Sequence, residues 1–248
     1  MKQFKTLYFD IETSPCHAWV WNTGKQYISH QQLLSSSTII CITWIWDNET
    51  EAKSLHWDKH QNDKTMLQKF RAVADKADVL VAHNGKSFDV KHINTRIAYH
   101  QLEPLAISTL EDTLLSARKT LRLPSFSLDY ICKYFNLGCK IKTEIDLWLD
   151  VWLRNDRKRL KEMVEYGKHD AVLLKAASNR LKSYLPIKRN LAILNEDSRI
   201  CPKCGELLWK WDKRVIGLRL VQRYKCSKCR SMAIVGNNSI VATPTYPR

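Results

Sequence analysis

Four carboxylates stand where an apolar residue would serve a fold better: Asp10 and Glu12 inside an apolar run, Asp89 in the first turn of a helical pattern, and Asp170 inside another. Singly, each has an ordinary explanation, because an edge strand tolerates charge, a helix N-terminus favours an acid and a solvated helix face accepts one. Together they repel one another unless a cation sits among them, since burying an unpaired carboxylate costs on the order of several kcal/mol. Only hard oxygen ligands are on offer, which suits Mg2+ or Mn2+, and two such ions about 3.5–4 Å apart cleave phosphodiesters. A second ligand set follows far along the chain: Cys201-x2-Cys204 and Cys226-x2-Cys229, with 21 residues between the pairs. That spacing is close to the one expected of a structural four-cysteine zinc site, and four thiolates leave no open coordination position for chemistry. Cys16, Cys41, Cys132 and Cys139 are scattered, so the cysteines argue for metal and against disulfides.

The acids ride on readable elements. Residues 6–13 alternate, with Leu7, Phe9 and Ile11 on one face and Tyr8, Asp10 and Glu12 on the other, so two carboxylates project side by side from a strand. Residues 38–46 and 52–57, joined by Asp47-Asn48-Glu49-Thr50, read as a hairpin, and a helical pattern over 62–76 leads to a strand at 78–83. A turn at Asn84-Gly85 then opens a helix for which Ser87 is the candidate N-cap. Further helices are predicted over 127–136, closed by Gly138, and over 157–184, where Leu160, Met163, Val164, Ala171, Leu174 and Leu181 form the apolar stripe. Strands first, then alternating strand and helix, imply an α/β fold with a mixed sheet flanked by helices. Tyr166 and Asp170 are four apart, hence on one helix face, whereas His169 is turned away and reads as a bystander.

In this order FDIET, HNGKSFD at 83–89 and Tyr166-Gly-Lys-His-Asp170 resemble the three exonuclease motifs of the DEDD superfamily, especially the proofreading domains of family B DNA polymerases. The resemblance spans residues 5–185 and includes SLDYICKYFNLG at 127–138. It implies a ribonuclease H-like fold. That superfamily ends its third motif as YxxxD or HxxxxD; residue 165 is Glu, and Tyr166 with Asp170 gives the tyrosine form. Carried over, Asp10 bridges two metals, Glu12 and Asp170 complete the first site, Asp89 holds the second, and Tyr166 orients the attacking water. Asn84 and Phe88 then belong to the surface that meets the terminal nucleotides, and Thr13 lies where the last sugar is contacted. Asp112 beside Thr113 matches a recurrent Asp-Thr after the second motif but equally caps a helix, the reading preferred here. The implied reaction is attack of a metal-activated hydroxide on the 3′-terminal phosphodiester, releasing nucleoside 5′-monophosphates.

Composition fits a nucleic-acid enzyme. The 248 residues carry 40 Lys+Arg against 25 Asp+Glu, a formal charge of +15, and a 44% apolar share rules out disorder as a whole. Charge is uneven: residues 198–248 hold 11 Lys/Arg and 2 Asp/Glu. The expected organisation is therefore a nuclease domain at 1–185, a linker at 186–198 after Pro186, a zinc ribbon at 199–236 and a tail at 237–248. In the ribbon, Trp209, Trp211 and Arg223 among the basic residues offer stacking and phosphate contacts to a nucleic acid. The basic run Arg154, Arg157, Lys158, Arg159 and Lys161 at a helix N-terminus reads as a solvated face in preference to a phosphate track. Asp10 and Glu12 interrupt the one candidate signal-peptide stretch, and the uncharged residues 26–46 contain His30, Gln31-Gln32 and Ser35-Ser36-Ser37, which a hydrocarbon core would not accept, so a soluble, cytoplasmic protein without membrane partners is expected.

These readings converge on a stand-alone 3′→5′ exonuclease for single-stranded or frayed DNA ends, with two Mg2+ or Mn2+ in the active site and one structural Zn2+. No polymerase domain fits this length, so a separate polymerase or replication protein is the expected partner, in a replication or repair system of viral or mobile origin. The alternatives are an exoribonuclease, with RNA as substrate, and a non-catalytic nucleic-acid-binding adaptor on the same fold.

Overall fold

The computed structural model describes all residues except 186–188, 217–218, 236–239 and 244–248. Pro186 and most of the tail at 237–248 thus lie outside the described residues. Strand β1 (Thr6–Thr13) runs as the alternation predicts. After it come two short strands, β2 (His17–Ala18) and β3 (Leu33–Ser35), then β4 (Ile39–Trp46) and β5 (Lys53–His56). Helix α1 (Lys64–Ala74), β6 (Val79–Ala82), α2 (Asp89–Tyr99), β7 (Leu110–Asp112) and α3 (Thr113–Thr120) complete the sheet. Its order is β5-β4-β1-β6-β7, antiparallel on the β4 and β5 side and parallel on the β6 and β7 side. Helices α4 (Leu128–Tyr134), α5 (Asp146–Trp152) and α6 (Arg157–Leu181) follow. Gly138, at φ +115, supplies the left-handed backbone that ends the α4 region.

Both faces of the sheet are covered, which is why β4 reads as an apolar run and not as an alternation. Leu7, Phe9, Ile11, Ile42 and Trp44 pack against Met66, Leu67 and Phe70 of α1 and Ile93 and Ile97 of α2. On the other face Ile40, Cys41 and Trp57 meet Leu147 and Val151 of α5 and Leu160, Met163 and Val164 of α6. Register explains how β4 serves both layers. Glu12 pairs with Cys41 but Thr13 with Ile39, so Ile40 is the extra residue of a bulge beside the end of β1.

Two compact units result: Lys5–Leu115 with Ser125–Ala177, and Met1–Phe4 with Ser116–Pro124 and the described residues from Ser178 onward. The second contains a short helix α7 (Leu191–Leu194) and the sheet of β8 (Leu208–Ile216), β9 (Arg219–Cys226), β10 (Met232–Val235) and β11 (Ile240–Thr243), in the order β11-β10-β9-β8. Helix α7 falls inside the stretch expected to be linker. Asn190 caps it through Ala192 and Ile193, and Leu191 and Ala192 are buried, so apolar content there makes structure of what its polar neighbours suggested was a spacer. Among the described residues no helix is long and apolar enough to cross a membrane.

Candidate active site and metal centres

Asp10 and Glu12 leave β1 on the face opposite its core residues, and α6 brings Asp170 to them. One carboxylate oxygen from each of the three lies within 4.8 Å of the others. Asp170 and Asp89 are fully buried, and each keeps one oxygen, Oδ1, without a hydrogen-bond partner. Buried acceptors left unsatisfied beside further acids are the donor set of a hard cation, so the residues fit divalent-metal binding.

Electrostatics agree with that reading. Burial is the largest influence on Asp10 and lifts its carboxyl to about 7, with Lys140 opposing and Asp170 reinforcing the shift. Burial raises Glu12 well above the usual carboxylate range, and the charges of Asp10 and Asp170 add to it. Asp89 is raised by burial and then by Asp10. Three acids pushed upward around one point mark a place where the chain holds negative charge it does not itself neutralise.

Among the described residues Lys140 brings a cation to the acids, and sequence reasoning missed it. Lys140 Nζ lies 2.5 Å from Asp170 Oδ2 and 3.4 Å from the Tyr166 hydroxyl. Burial works against this ammonium, but its hydrogen bond to Asp170 prevails and keeps it protonated. The loop bearing it is fixed on both sides: the Lys140 N–H donates to Asp129 Oδ1 at 3.0 Å, and His169 Nε2 lies 2.8 Å from the Cys139 carbonyl. His169 therefore stays out of the acid cluster, as its helix phase implies, yet it is tied to the loop that delivers Lys140. Nothing in the spacing of a lone lysine could have signalled this. Tyr166 is half-buried, and burial with the charge of Asp170 raises its phenol above its usual range, so it remains protonated.

The second motif is held differently from expectation. Phe88, not Ser87, precedes the first residue of α2, and no side chain caps that helix. Ser87 and Phe88 donate their N–H groups to the Asn84 carbonyl, and Asn84 itself takes a left-handed φ of +70. Asp112 organises this turn: it accepts from Asn84 N at 3.2 Å, Lys86 N at 3.1 Å and Leu115 N at 3.0 Å. It caps α3, as preferred from sequence, and in the same contact set pins the turn before Asp89. Phe88 is exposed with its ring 4.5 Å from that of His92. Thr13 ends β1 at the bulge.

Depth between α6 and the sheet is set by Gly167. A Cβ there would meet Thr43 Cγ2 at 2.9 Å, and the Thr43 hydroxyl donates to the Gly167 carbonyl at 2.9 Å. Thr43 lies opposite Asp10 in the β1–β4 ladder, so this contact joins the two elements that carry the acids. The basic run at the start of α6 is laced with acids: Asp150 pairs with Arg154 and Arg159, Arg159 also pairs with Glu162, and Asp156 accepts from the Lys158 and Arg159 N–H groups.

Cys201, Cys204, Cys226 and Cys229 form the other ligand group. Their Sγ atoms approach to 3.6 Å for Cys201 with Cys229 and 3.5 Å for Cys204 with Cys226. A tetrahedron of Zn–S bonds of about 2.3 Å has edges of about 3.8 Å, so both separations are near that length, and all four sulfurs lie within 4.8 Å of one another. Backbone N–H groups of Lys203 and Cys229 point at Cys201 and Cys226 Sγ, the outer-shell donors that favour thiolate. The cluster fits a zinc ribbon. On β8, Trp209 and Trp211 are exposed and stacked edge to face at 5.0 Å, with Lys225 Nζ 4.0 Å over the Trp211 ring. Arg223 departs from expectation, because Asp212 engages its guanidinium through two hydrogen bonds.

Comparison with known proteins agrees with this geometry. Residues 7–181 match the RNase H superfamily. Over 76 residues the chain is 38% identical to the DNA polymerase III PolC-type of Ureaplasma parvum, which covers 31% of this chain and 5% of that protein. The family B DNA polymerase of the hyperthermophilic archaeon Pyrobaculum calidifontis shares the fold at a TM-score of 0.53 and 12% identity, over 75% of this chain and 26% of that one. The chain thus spans a small fraction of either polymerase. With the acid cluster, the matched region and the shared fold taken together, this chain belongs to the RNase H superfamily and carries a domain of the DEDD exonuclease type.

Proposed function

We propose that the chain is a metal-dependent 3′→5′ exonuclease acting on single-stranded or frayed DNA ends and releasing nucleoside 5′-monophosphates. The observation that carries this reading is the convergence of Asp10, Glu12 and Asp170 within 4.8 Å, with buried Asp89 electrostatically linked to Asp10. Asp10, Glu12, Asp89 and Asp170 would hold two divalent cations, Mg2+ or Mn2+. When bound, such ions activate water, polarise the phosphoryl group and stabilise the departing 3′-oxygen.

The chain's own groups do the rest. Tyr166 keeps its proton and presents a hydroxyl beside Asp170, where it orients the attacking water without giving up charge. Lys140 neutralises part of the Asp170 charge and holds the Tyr166 hydroxyl in place. Thr13, Asn84 and Phe88 border the terminal nucleotide. In the ribbon, Zn2+ on the four cysteines keeps β8 and β9 paired, and Trp209, Trp211 and the basic side chains tether the strand. The nuclease region at 1–185 cleaves the strand that the ribbon at 199–236 holds, and a polymerase is the partner that fits this role.

The test is a time course on 5′-labelled DNA and RNA oligonucleotides of one sequence with Mg2+, Mn2+ or EDTA, beside Asp10→Ala. A metal-dependent ladder shortening from the 3′ end, lost in Asp10→Ala, supports the exonuclease, and the faster substrate names the sugar. Intact substrate that is still bound supports the non-catalytic adaptor instead, and cleavage of circular DNA points to an endonuclease.

A further inference from the structure

Between β1 and β4 the chain makes an excursion whose composition is unlike the rest. From Ser14 to Trp46 there is no Asp or Glu, although 25 of the 248 residues are acidic and about three would be expected in such a length. Within it, Trp21 and Tyr27 are 82% and 90% exposed, and Trp19, Ile28 and Leu34 are exposed as well. Large apolar side chains gathered in one surface segment mark an interaction site more often than scattered single ones do.

The segment is fixed in place. Its neck closes where the Ser14 N–H donates to the Thr38 carbonyl at 2.9 Å and the Thr38 N–H returns to Ser14 Oγ at 2.9 Å. Farther out, Trp19 N donates to the Gln32 carbonyl, Gln32 Nε2 donates to the Trp19 carbonyl, and Ser29 with Gln32 forms a reciprocal capping box. Trp19 and Trp21 pack edge to face at 5.1 Å, and the His17 ring meets Trp152 of α5 at 5.3 Å. Rings presented on a pre-formed scaffold lose little freedom when a ligand stacks on them.

Position narrows the ligand. Both ends of the excursion stand at the Thr13 end of β1, one residue past Glu12, and His17 lies within about 14 Å of Thr13 by chain length. A surface beside a phosphodiester-cleaving centre, free of acids for 33 residues and bearing Lys25 with exposed rings, suits a polyanion whose bases stack. We infer that the residue 15–37 excursion is a stacking platform for the single strand, with Trp21 and Tyr27 taking bases just upstream of the terminal nucleotide. This rests on the nuclease reading for its choice of ligand.

The experiment measures equilibrium binding of an oligothymidylate of about twelve nucleotides, by fluorescence anisotropy, to full-length chains carrying Asp10→Ala. Adding W21A and Y27A together weakens binding by about ten- to a hundredfold, whereas W21F with Y27F retains most of it. On the cleaving chain, W21A with Y27A raises KM for the long oligonucleotide and leaves KM for a dinucleotide unchanged. Unaltered binding in the double alanine chain overturns the platform, as does equal weakening by the phenylalanine pair. If the unmodified chain cleaves nothing, the exonuclease reading fails, and the anisotropy measurement still judges the platform by itself.

Discussion

Around Asp10 the apolar support is a cluster of fifteen buried side chains drawn from β1, β4, β6, α1, α2 and the loops beside them. Around the four cysteines, the described residues offer a cluster of three, Ala192, Ile200 and Ala233, with Leu208 and Tyr224 packed against it. The two ligand sets therefore relate to their metals in opposite ways. The acid site is a defect in an otherwise complete core, held open by packing that needs no ion. The cysteine site stands where a segment of this size cannot build a core, so on the proposed zinc reading metal binding and folding become one event there.

The largest expected effect follows from that contrast. Cys204→Ser, or a strong chelator, unfolds the ribbon, because about 10–16 kcal/mol of zinc binding is the free energy that folds such modules. Limited proteolysis should degrade the region beyond residue 198 and leave the β1–α6 domain intact; a ribbon that stays resistant breaks the comparison. Next, Asp10→Ala or Asp170→Ala lowers turnover about a thousandfold or more, leaves oligonucleotide binding in place and does not unfold the domain. Asp10→Asn leaves the metal-free protein more stable than the parent at pH 8. The sign is fixed by the raised carboxyl: a group at about 7 when folded and near 4 when unfolded opposes folding as pH climbs through that window. Calorimetry of Asp10→Asn against the parent, with and without Mn2+, checks it, and a lowered melting temperature in the metal-free variant contradicts it.

The same shift sharpens the comparison further. A proton must leave Asp10 before a cation can use both its oxygens, so apparent Mn2+ affinity rises about tenfold per pH unit up to about 7. Calorimetric titration across pH 5.5–8 measures this directly. The smallest effect is at Tyr166: Tyr166→Phe slows cleavage by about ten- to a hundredfold at unchanged metal affinity, read from single-turnover rates.

Much of this was legible in the residue pattern. Alternation over residues 6–13 gives β1 to the residue, and the paired CxxC spacing identifies the sulfur cluster. What stayed hidden depends on contacts distant in sequence. The β4 bulge leaves Ile40 unpaired between the Glu12–Cys41 and Thr13–Ile39 pairs, and Lys140 finds Asp170 only because α4 and α6 bring its loop there. Strand β7 is three residues long, and α5 is seven, too short for a period to show. Asp112 looked like a cap, and it is one, but its hold on Asn84 and Lys86 spans 26 or more positions and leaves no local trace.

The seat of Gly167 on Thr43 behaves as a shim between two machine parts. Its thickness sets how far Asp170 stands from Asp10, and hence the span into which cations must fit. Thr43→Ser thins the shim by one methyl group and Gly167→Ala thickens it, so the pair offers a graded adjustment of the gap. Small shifts in that gap discriminate between cations, because Mg2+ demands near-ideal geometry at about 2.0–2.1 Å and larger ions tolerate more. Ion preference at the proposed metal site is thus adjustable from Thr43 and Gly167, which are not among its proposed ligands.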